Sequence, residues 1–240
     1  MDLSEAERNF KALAANPYPG RGIVLGTSPC GKYYAQVYWI MGRSENSRNR
    51  IFELEDGAVK TSAFDEGKCS DPHLIIYYPA RGNRAAHIVT NGDQTDTIYE
   101  AMRLDGTFER ALETRQYEDD APNFTPRISG ITYRCGKAIY KLSILKAAGN
   151  AEEQGCIRET FAYEKAVPGL GHFVSTYEGD GKPLPSFKGE PREMPIMATA
   201  EATLEAYWNA LNEENKVSIM VKWIDRETFR AKTLLKNKLG

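Results

Sequence analysis

Residues 33–41 read YYAQVYWIM, the most apolar and β-favouring run in the chain. Tyr34, Tyr38 and Ile40 fall on one alternating set, and Ala35, Val37, Trp39 and Met41 on the other. A strand apolar on both sets is covered on both faces, so it belongs in the middle of a layered structure. Just before it, residues 21–26 (RGIVLG) form a short apolar strand, and the turn Pro29-Cys30-Gly31 joins the two as a hairpin. Just after it comes GRSENSRNR, residues 42–50, in which Arg43, Arg48 and Arg50 alternate with Ser44, Asn46, Ser47 and Asn49. Guanidinium groups bind phosphate or carboxylate through a planar fork, and small polar residues add donors at close range. Taken alone, the run reads equally well as a loop with its charges in water.

Working outward, residues 3–15 carry Leu3, Ala6, Phe10 and Leu13 at helical spacing, with Ser4 and Glu7 as a capping box. The run Asn16-Pro17-Tyr18-Pro19-Gly20 ends that helix. Residues 51–54 and 59–63 flank Glu55-Asp56-Gly57 as a second hairpin, and residues 74–78 and 87–89 read as short strands. The period changes at residues 94–104, where Ile98, Ala101 and Met102 share a helical face and Thr97 with Glu100 fits a capping box. A further helix is expected over 108–115, and Asp96 reads as a cap rather than a site residue. Residues 117–127 (YEDDAPNFTPR) are too proline-rich and acidic for a regular element and form a loop. Strands return at 128–134, 138–145, 157–163 and 173–177. Residues 178–195 form a long loop, a length often tied to function. Thr199 caps an amphipathic helix with Leu204, Tyr207, Trp208 and Leu211 on one face, and 217–223 alternate as a half-buried strand. With no internal repeat or linker, residues 1–240 read as one α+β domain with mostly antiparallel sheets.

Composition narrows the function. The chain is 41% apolar and 27% charged, ordinary for a soluble protein, and its net charge of -2 with pI near 6.0 argues against a broad nucleic-acid surface. No apolar run is long enough to span a bilayer, and the start Met1-Asp2-Leu3-Ser4-Glu5 is unlike a secretory signal, so a cytoplasmic protein is expected. Four cysteines and three histidines are scattered without metal-ligand spacing, so no metal is expected. Dinucleotide, P-loop, zincin and nucleophile-elbow fingerprints are absent from the sequence. What remains is a set of polar clusters at strand ends: Arg21, residues 43–50, Tyr77 and Tyr78, residues 91–96, and residues 117–127. Such groups suit a small anionic substrate, with arginines for charge, Asn and Thr for hydroxyls, and a carboxylate for protons.

Four of these segments, in this order, resemble the motifs of the archaeal-type inosine monophosphate (IMP) cyclohydrolases. They are YPGRGIVLG (18–26), GRSENSRNR (42–50), NGDQTDTI (91–98) and YEDDAPNFTPRI (117–128), and TYEGDGKPLPSFKGEP (176–191) is similar to bacterial members. The resemblance implies a four-layer αββα fold like that of N-terminal nucleophile hydrolases, without their nucleophile: here Cys30 is internal. It implies closure of 5-formamidoimidazole-4-carboxamide ribonucleotide (FAICAR) to IMP with loss of water, without metal or cofactor. The partner it implies is a purine nucleotide, with neither nucleic acid nor membrane, and a homo-oligomer stays open. By the same resemblance Arg21, Arg43 and Arg50 include the phosphate and oxyanion ligands, Asn49 fixes their loop, and Glu118 orients or deprotonates the carboxamide. Tyr77 or Tyr78 polarises the formyl oxygen, and Asn91, Asn123, Thr125 and Arg127 contact the base or ribose. Asp119 and Asp120 read as solvated neighbours. A silent nucleotide-binding protein and an amide hydrolase on the same fold are the alternatives.

Overall fold

YYAQVYWIM is strand β2 (Tyr33–Met41), with eight of its nine residues buried. A computed structural model describes residues 4–68, 76–149 and 155–240. On one side β2 pairs with β1 (Gly22–Thr27), Gly22 opposite Trp39. On the other it pairs with β12 (Lys216–Asp225). β10 (Leu170–Ser175), β11 (Arg192–Pro195) and β13 (Ala231–Asn237) complete a six-stranded sheet in the order β11-β10-β1-β2-β12-β13. A second sheet runs β3 (Arg50–Glu55), β4 (Ala58–Ala63), β5 (Ala80–Gly82), β6 (Ala86–Thr90), β7 (Arg127–Tyr133), β8 (Tyr140–Ala147) and β9 (Cys156–Tyr163), each beside the next. Every strand pair in both sheets is antiparallel.

The two alternating sets of β2 have different partners. Val37, Trp39 and Met41 pack with Leu13 of helix α1 (Glu5–Ala15) and with Leu204, Tyr207 and Trp208 of the helix Ala200–Ala210. Tyr38 and Ile40 instead meet Phe52, Val59, Val89, Ile128 and Leu142 of the second sheet. That sheet's far face, through Ile88, Ile131 and Leu145, buries Ile98 of Gln94–Arg103 and Phe108, Ala111 and Leu112 of Phe108–Glu113. With the short turn Glu45–Arg48 as α2, these helices are α3 (Gln94–Arg103), α4 (Phe108–Glu113) and α5 (Ala200–Ala210). Each large apolar side chain so buried stabilises the fold by about 1.5–3 kcal/mol relative to exposure. No helix among the described residues is long and apolar enough to cross a membrane.

Several local expectations hold. Ser4 and Glu7 form a reciprocal capping box on α1, and Thr199 accepts from Ala202 N to cap α5. Others are corrected. Residues 42–50 are not simply a loop, because Ser44 and Ser47 cap each other around α2 and Arg50 opens β3. Helix α3 begins at Gln94, so Thr97 and Glu100 lie inside it and Asp96 sits in its first turn, paired with Arg81 at 2.5 Å rather than capping. The boundary residue Asp93 makes no side-chain cap, since Arg115 and Arg127 hold its carboxylate. Of the strand expected at 74–78, residues 74 and 75 lie outside the described residues. Residues 76–78 are irregular, with the Tyr77 backbone N–H donating to Thr61 Oγ1 at 2.8 Å instead of joining a ladder. The 178–195 loop ends in β11, and β12 is buried at nine of ten positions because both its faces are covered.

Candidate functional site

Three chain segments, with residues 177–184 as a further wall, meet where β1, β2 and β3 begin or end, around a cavity of about 350 Å³. The first is Tyr18 to Arg21. Gly20 lies in the left-handed region at φ 71°, and a Cβ there would stand 2.2 Å from Thr176 Oγ1 and 2.5 Å from the Tyr177 ring. Only glycine fits that approach. Its carbonyl accepts from the buried Trp39 indole at 3.1 Å, which ties the cavity wall to the core of β2. Arg21 is fixed through its backbone, with N donating to Thr176 Oγ1 at 3.1 Å and its carbonyl accepting from Thr176 N at 2.9 Å.

The Arg21 side chain points at the second segment, residues 117–125. Its Nη2 lies 3.1 Å from Glu118 Oε1 and 3.2 Å from Oε2, with both side chains 13% exposed. Burial opposes the Arg21 charge, but the Glu118 carboxylate and then the electron-rich oxygens of Tyr77, Tyr177 and Tyr38 more than offset it, holding its pKa well above the usual value. Glu118 is itself placed by its N–H, which donates to Thr125 O at 2.8 Å. Asp120 closes the same loop, accepting from Thr125 N at 2.6 Å and from Thr125 Oγ1 at 2.5 Å. Tyr177 donates in turn to Thr125 Oγ1, also at 2.5 Å. Burial pushes the Tyr177 phenol up to about 12, so this chain stays protonated at neutral pH.

The third segment is 43–50. Arg50 is only 4% exposed, and its one side-chain hydrogen bond among the described residues runs from Nε to Ser47 O at 2.9 Å. Burial pulls its pKa down, and the neighbouring Arg21 pulls the same way against Tyr77 and Tyr38. No ion pair among the described residues includes it, whereas Arg21 is matched by Glu118. Beside Arg50 the cavity also meets Asn46, whose Oδ1 is buried without a partner. Behind the two arginines the Tyr77 and Tyr38 hydroxyls share a hydrogen bond at 2.8 Å, and burial, with Tyr77 adding, pushes the Tyr38 pKa far above the phenol range. At the mouth, Arg43 lies 4.7 Å over the Tyr18 ring and pairs with Asp180. Asn123 Oδ1 accepts from Leu184 N at 3.1 Å, so the long 178–191 loop supplies a wall of the cavity.

Of the residues singled out in the sequence, Arg21, Arg43, Arg50, Glu118, Asn123 and Thr125 therefore converge, with Tyr77 just behind them. Four others are placed elsewhere. The Tyr78 hydroxyl donates to Glu55, and its ring lies under Arg81 at 5.3 Å. Asn49 exchanges hydrogen bonds with the Asp65 backbone at 2.7 and 2.8 Å. Asn91 is fully buried between Pro126 O, Ile128 N and Gln94, each at 2.9 Å. Arg127 turns to Asp93 and Gln94 at 2.8 and 2.7 Å. Sequence reasoning passed over Tyr18, read Asp120 as a solvated neighbour and gave Tyr177 no role, although each stands inside a quoted motif and lines the cavity. Nothing in composition separates Asp120 from the exposed Asp119; only the backbone turn does.

No curated protein matches the chain. The family described as IMP cyclohydrolase-like protein matches residues 18–228, a span that takes in every residue of the cavity and both sheets' central strands. The chain belongs to the IMP cyclohydrolase-like family.

Proposed function

We propose that the protein is an IMP cyclohydrolase, closing FAICAR to IMP with release of water in de novo purine synthesis, in the cytoplasm and without a metal. In this reading residues 1–240 act as one domain whose packed helices and sheets form the αββα sandwich of the N-terminal nucleophile hydrolases. The observation that carries the reading is Arg50: a guanidinium buried beside a second one, facing a cavity, with no carboxylate of its own. Burying an unpaired charge costs several kcal/mol, and an anionic ligand offsets that cost.

The reaction forms a bond from the carboxamide nitrogen to the formyl carbon as that nitrogen loses one proton and the formyl oxygen gains one. The former formamide nitrogen then loses its proton, the hydroxyl takes a second, and the carbon–oxygen bond breaks to release water. Arg43, at the mouth and half in solvent, meets the 5'-phosphate. Arg50 with Tyr77 takes the formyl oxygen as it gains charge, and the Tyr77–Tyr38 pair supplies its proton. Glu118, held by Arg21, accepts the carboxamide proton. Asn123 and Thr125 line the path of the base and ribose. Since both reacting groups belong to one bound molecule, orientation alone supplies roughly 7–11 kcal/mol of the barrier reduction. An oxyanion donor and a positioned base each add a few kcal/mol.

A second reading, a nucleotide-binding protein without turnover, draws on the same ion pair: Glu118 already has a cationic partner, so it serves as a base only once substrate loosens that pair. The amide-hydrolase reading has less support, because Cys30 lies exposed in the turn between β1 and β2 and away from the cavity. Incubating purified protein with FAICAR and following IMP by absorbance separates the first two. Turnover is expected; ligand-induced stabilisation without IMP selects the binder.

A further inference from the structure

The molecule's larger cavity, about 720 Å³, is not the one just described. It lies at the other end of the layer between the sheets. Arg50 opens β3, whereas Leu54 and Gly57, at the far hairpin of that strand, line the second cavity. The intervening strand spans roughly 15 Å at about 3.4 Å per residue.

Its floor is Lys222, on the inner face of β12 opposite Gln36 and Thr233. Three lysines are buried among the described residues. Lys146 donates to Phe187 O at 3.1 Å and pairs with Glu159 at 2.8 Å, and Lys216 donates to Trp208 O at 3.3 Å and pairs with Glu213 at 2.6 Å. Lys222, 2% exposed and the most buried of the three, has neither a side-chain hydrogen bond nor an ion pair among the described residues. Burial alone pulls its pKa down to about 8, so most molecules carry the charge at neutral pH with no partner among the described residues to meet it. A methionine would fill the same space without that cost.

Beside it stands His87, 7% exposed. Its Nε2 lies 3.1 Å from the Phe229 carbonyl, an acceptor, so Nε2 carries the proton and Nδ1 offers a lone pair. That Nδ1 is buried without a partner. A Cβ at Gly82 would stand 2.4 Å from it, so only a glycine packs this closely on that side of the ring. Arg84, Arg134 and Arg230 form an exposed rim, and the Asn83 amide adds a neutral donor. Among the described residues, no carboxylate lines the cavity. Four cations around one concavity, with a buried ammonium at its base, make an electrostatic well for a compact anion. The volume lies in the range of small-molecule pockets, well above what a lone phosphate fills.

We propose that this cavity is a second binding site, for a small organic oxyanion such as a phosphate monoester, with Lys222 and His87 at its floor and Arg84, Arg134 and Arg230 at its rim. The site is separate from the Arg50 cavity and does not depend on which reaction that cavity performs. The cations are spread over floor and rim, so an anion with several oxygens fits better than a bare halide.

Calorimetric titration of pyrophosphate into Arg50→Met protein, in which the first cavity is silenced, tests this. One site per chain is expected to remain. Its affinity falls at least tenfold in a variant that adds R84A, R134A and R230A, and binding is lost with Lys222→Met. The rim side chains are exposed, so that variant tests the proposal even if Lys222→Met fails to fold. The same rim comparison in the otherwise unaltered chain serves if Arg50→Met fails. Citrate, titrated in parallel, assigns the site to polycarboxylates if it binds through the same residues and pyrophosphate does not. Absence of any binding by either anion, or binding that the rim substitutions leave unchanged, overturns the proposal.

Discussion

A guanidinium bonded to protein through Nε alone, 4% exposed and beside a second guanidinium, is held at a cost that no neighbouring carboxylate offsets. Removing the charge while keeping the volume separates the two roles of Arg50. With Arg50→Met, the thermal midpoint should hold or rise, because an unpaired buried charge is lost. The same variant should lower kcat/KM for FAICAR by about 10²–10³-fold, the usual cost of removing one oxyanion donor. A variant with a fallen midpoint and intact kinetics would make Arg50 a packing residue. The other arginines of 42–50 illustrate why sequence could not divide this labour. Arg48 donates to Gly42 O at 3.0 Å and to Asn215 at 3.1 Å, bracing the turn, while Arg43 bridges to Asp180. Three residues of one type in one motif differ by which way a four-residue helical turn points them, and that turn was read from sequence as an unstructured loop. Tyr77 and Tyr78 divide in the same way: the backbone of Tyr77 is clasped by Thr61, which sends its ring inward and its neighbour outward to Glu55.

At the scale of elements, Asn91 joins β6 to β7 rather than reaching a ligand. Its side chain donates to Pro126 O and accepts from Ile128 N and Gln94, all inside the protein. Asn91→Ala leaves several buried groups unsatisfied and should cost about 2–4 kcal/mol in urea unfolding. The folded fraction should keep its kcat; a variant of unchanged stability but raised KM would place Asn91 in the substrate site instead. Strand and hairpin identities were legible because period-2 patterns and turn residues are local signals, as in β1–β2 and the Glu55-Asp56-Gly57 turn. The start of α3 was not. Asp93, the ordinary capping type, spends its carboxylate on Arg115 and Arg127, which come from 22 and 34 positions further along. β13 escaped notice for a related reason: an edge strand reading AKTLLKN, with no period-2 alternation, it takes its register from β12 rather than from its own pattern.

For the whole molecule, the doubly apolar β2 indicated layers, and its two sets do face α1 and α5 on one side and the second sheet on the other. What it could not indicate was that the layer between the sheets ends in polar cavities at both extremities, because Lys222, His87 and Arg50 are separated by long stretches of chain and meet only through the stacking of the sheets. Burial in this interior also sets an acid limit on stability. His87 and His172 are both pulled down from 6.5 to about 4, chiefly by burial. Between those values the unfolded chain binds protons that the folded chain does not, so stability falls as pH drops from 6.5 toward 4. Carboxylates with lowered pKa, such as Asp93 and Asp225, titrate below their ordinary 3.8 and add their loss only at still lower pH. The urea midpoint should therefore already decline between pH 6.5 and 4.5, and a flat midpoint across that interval would show that the two imidazoles are not held neutral. The central claim concerns the other cavity, where a carboxylate and two arginines are assigned the chemistry of ring closure. Its most direct test is the rate of IMP formation at saturating FAICAR by Glu118→Gln, with folding checked by circular dichroism. The account predicts kcat lower by about 10²–10⁴-fold with substrate still bound; an unchanged kcat in a folded variant would contradict it.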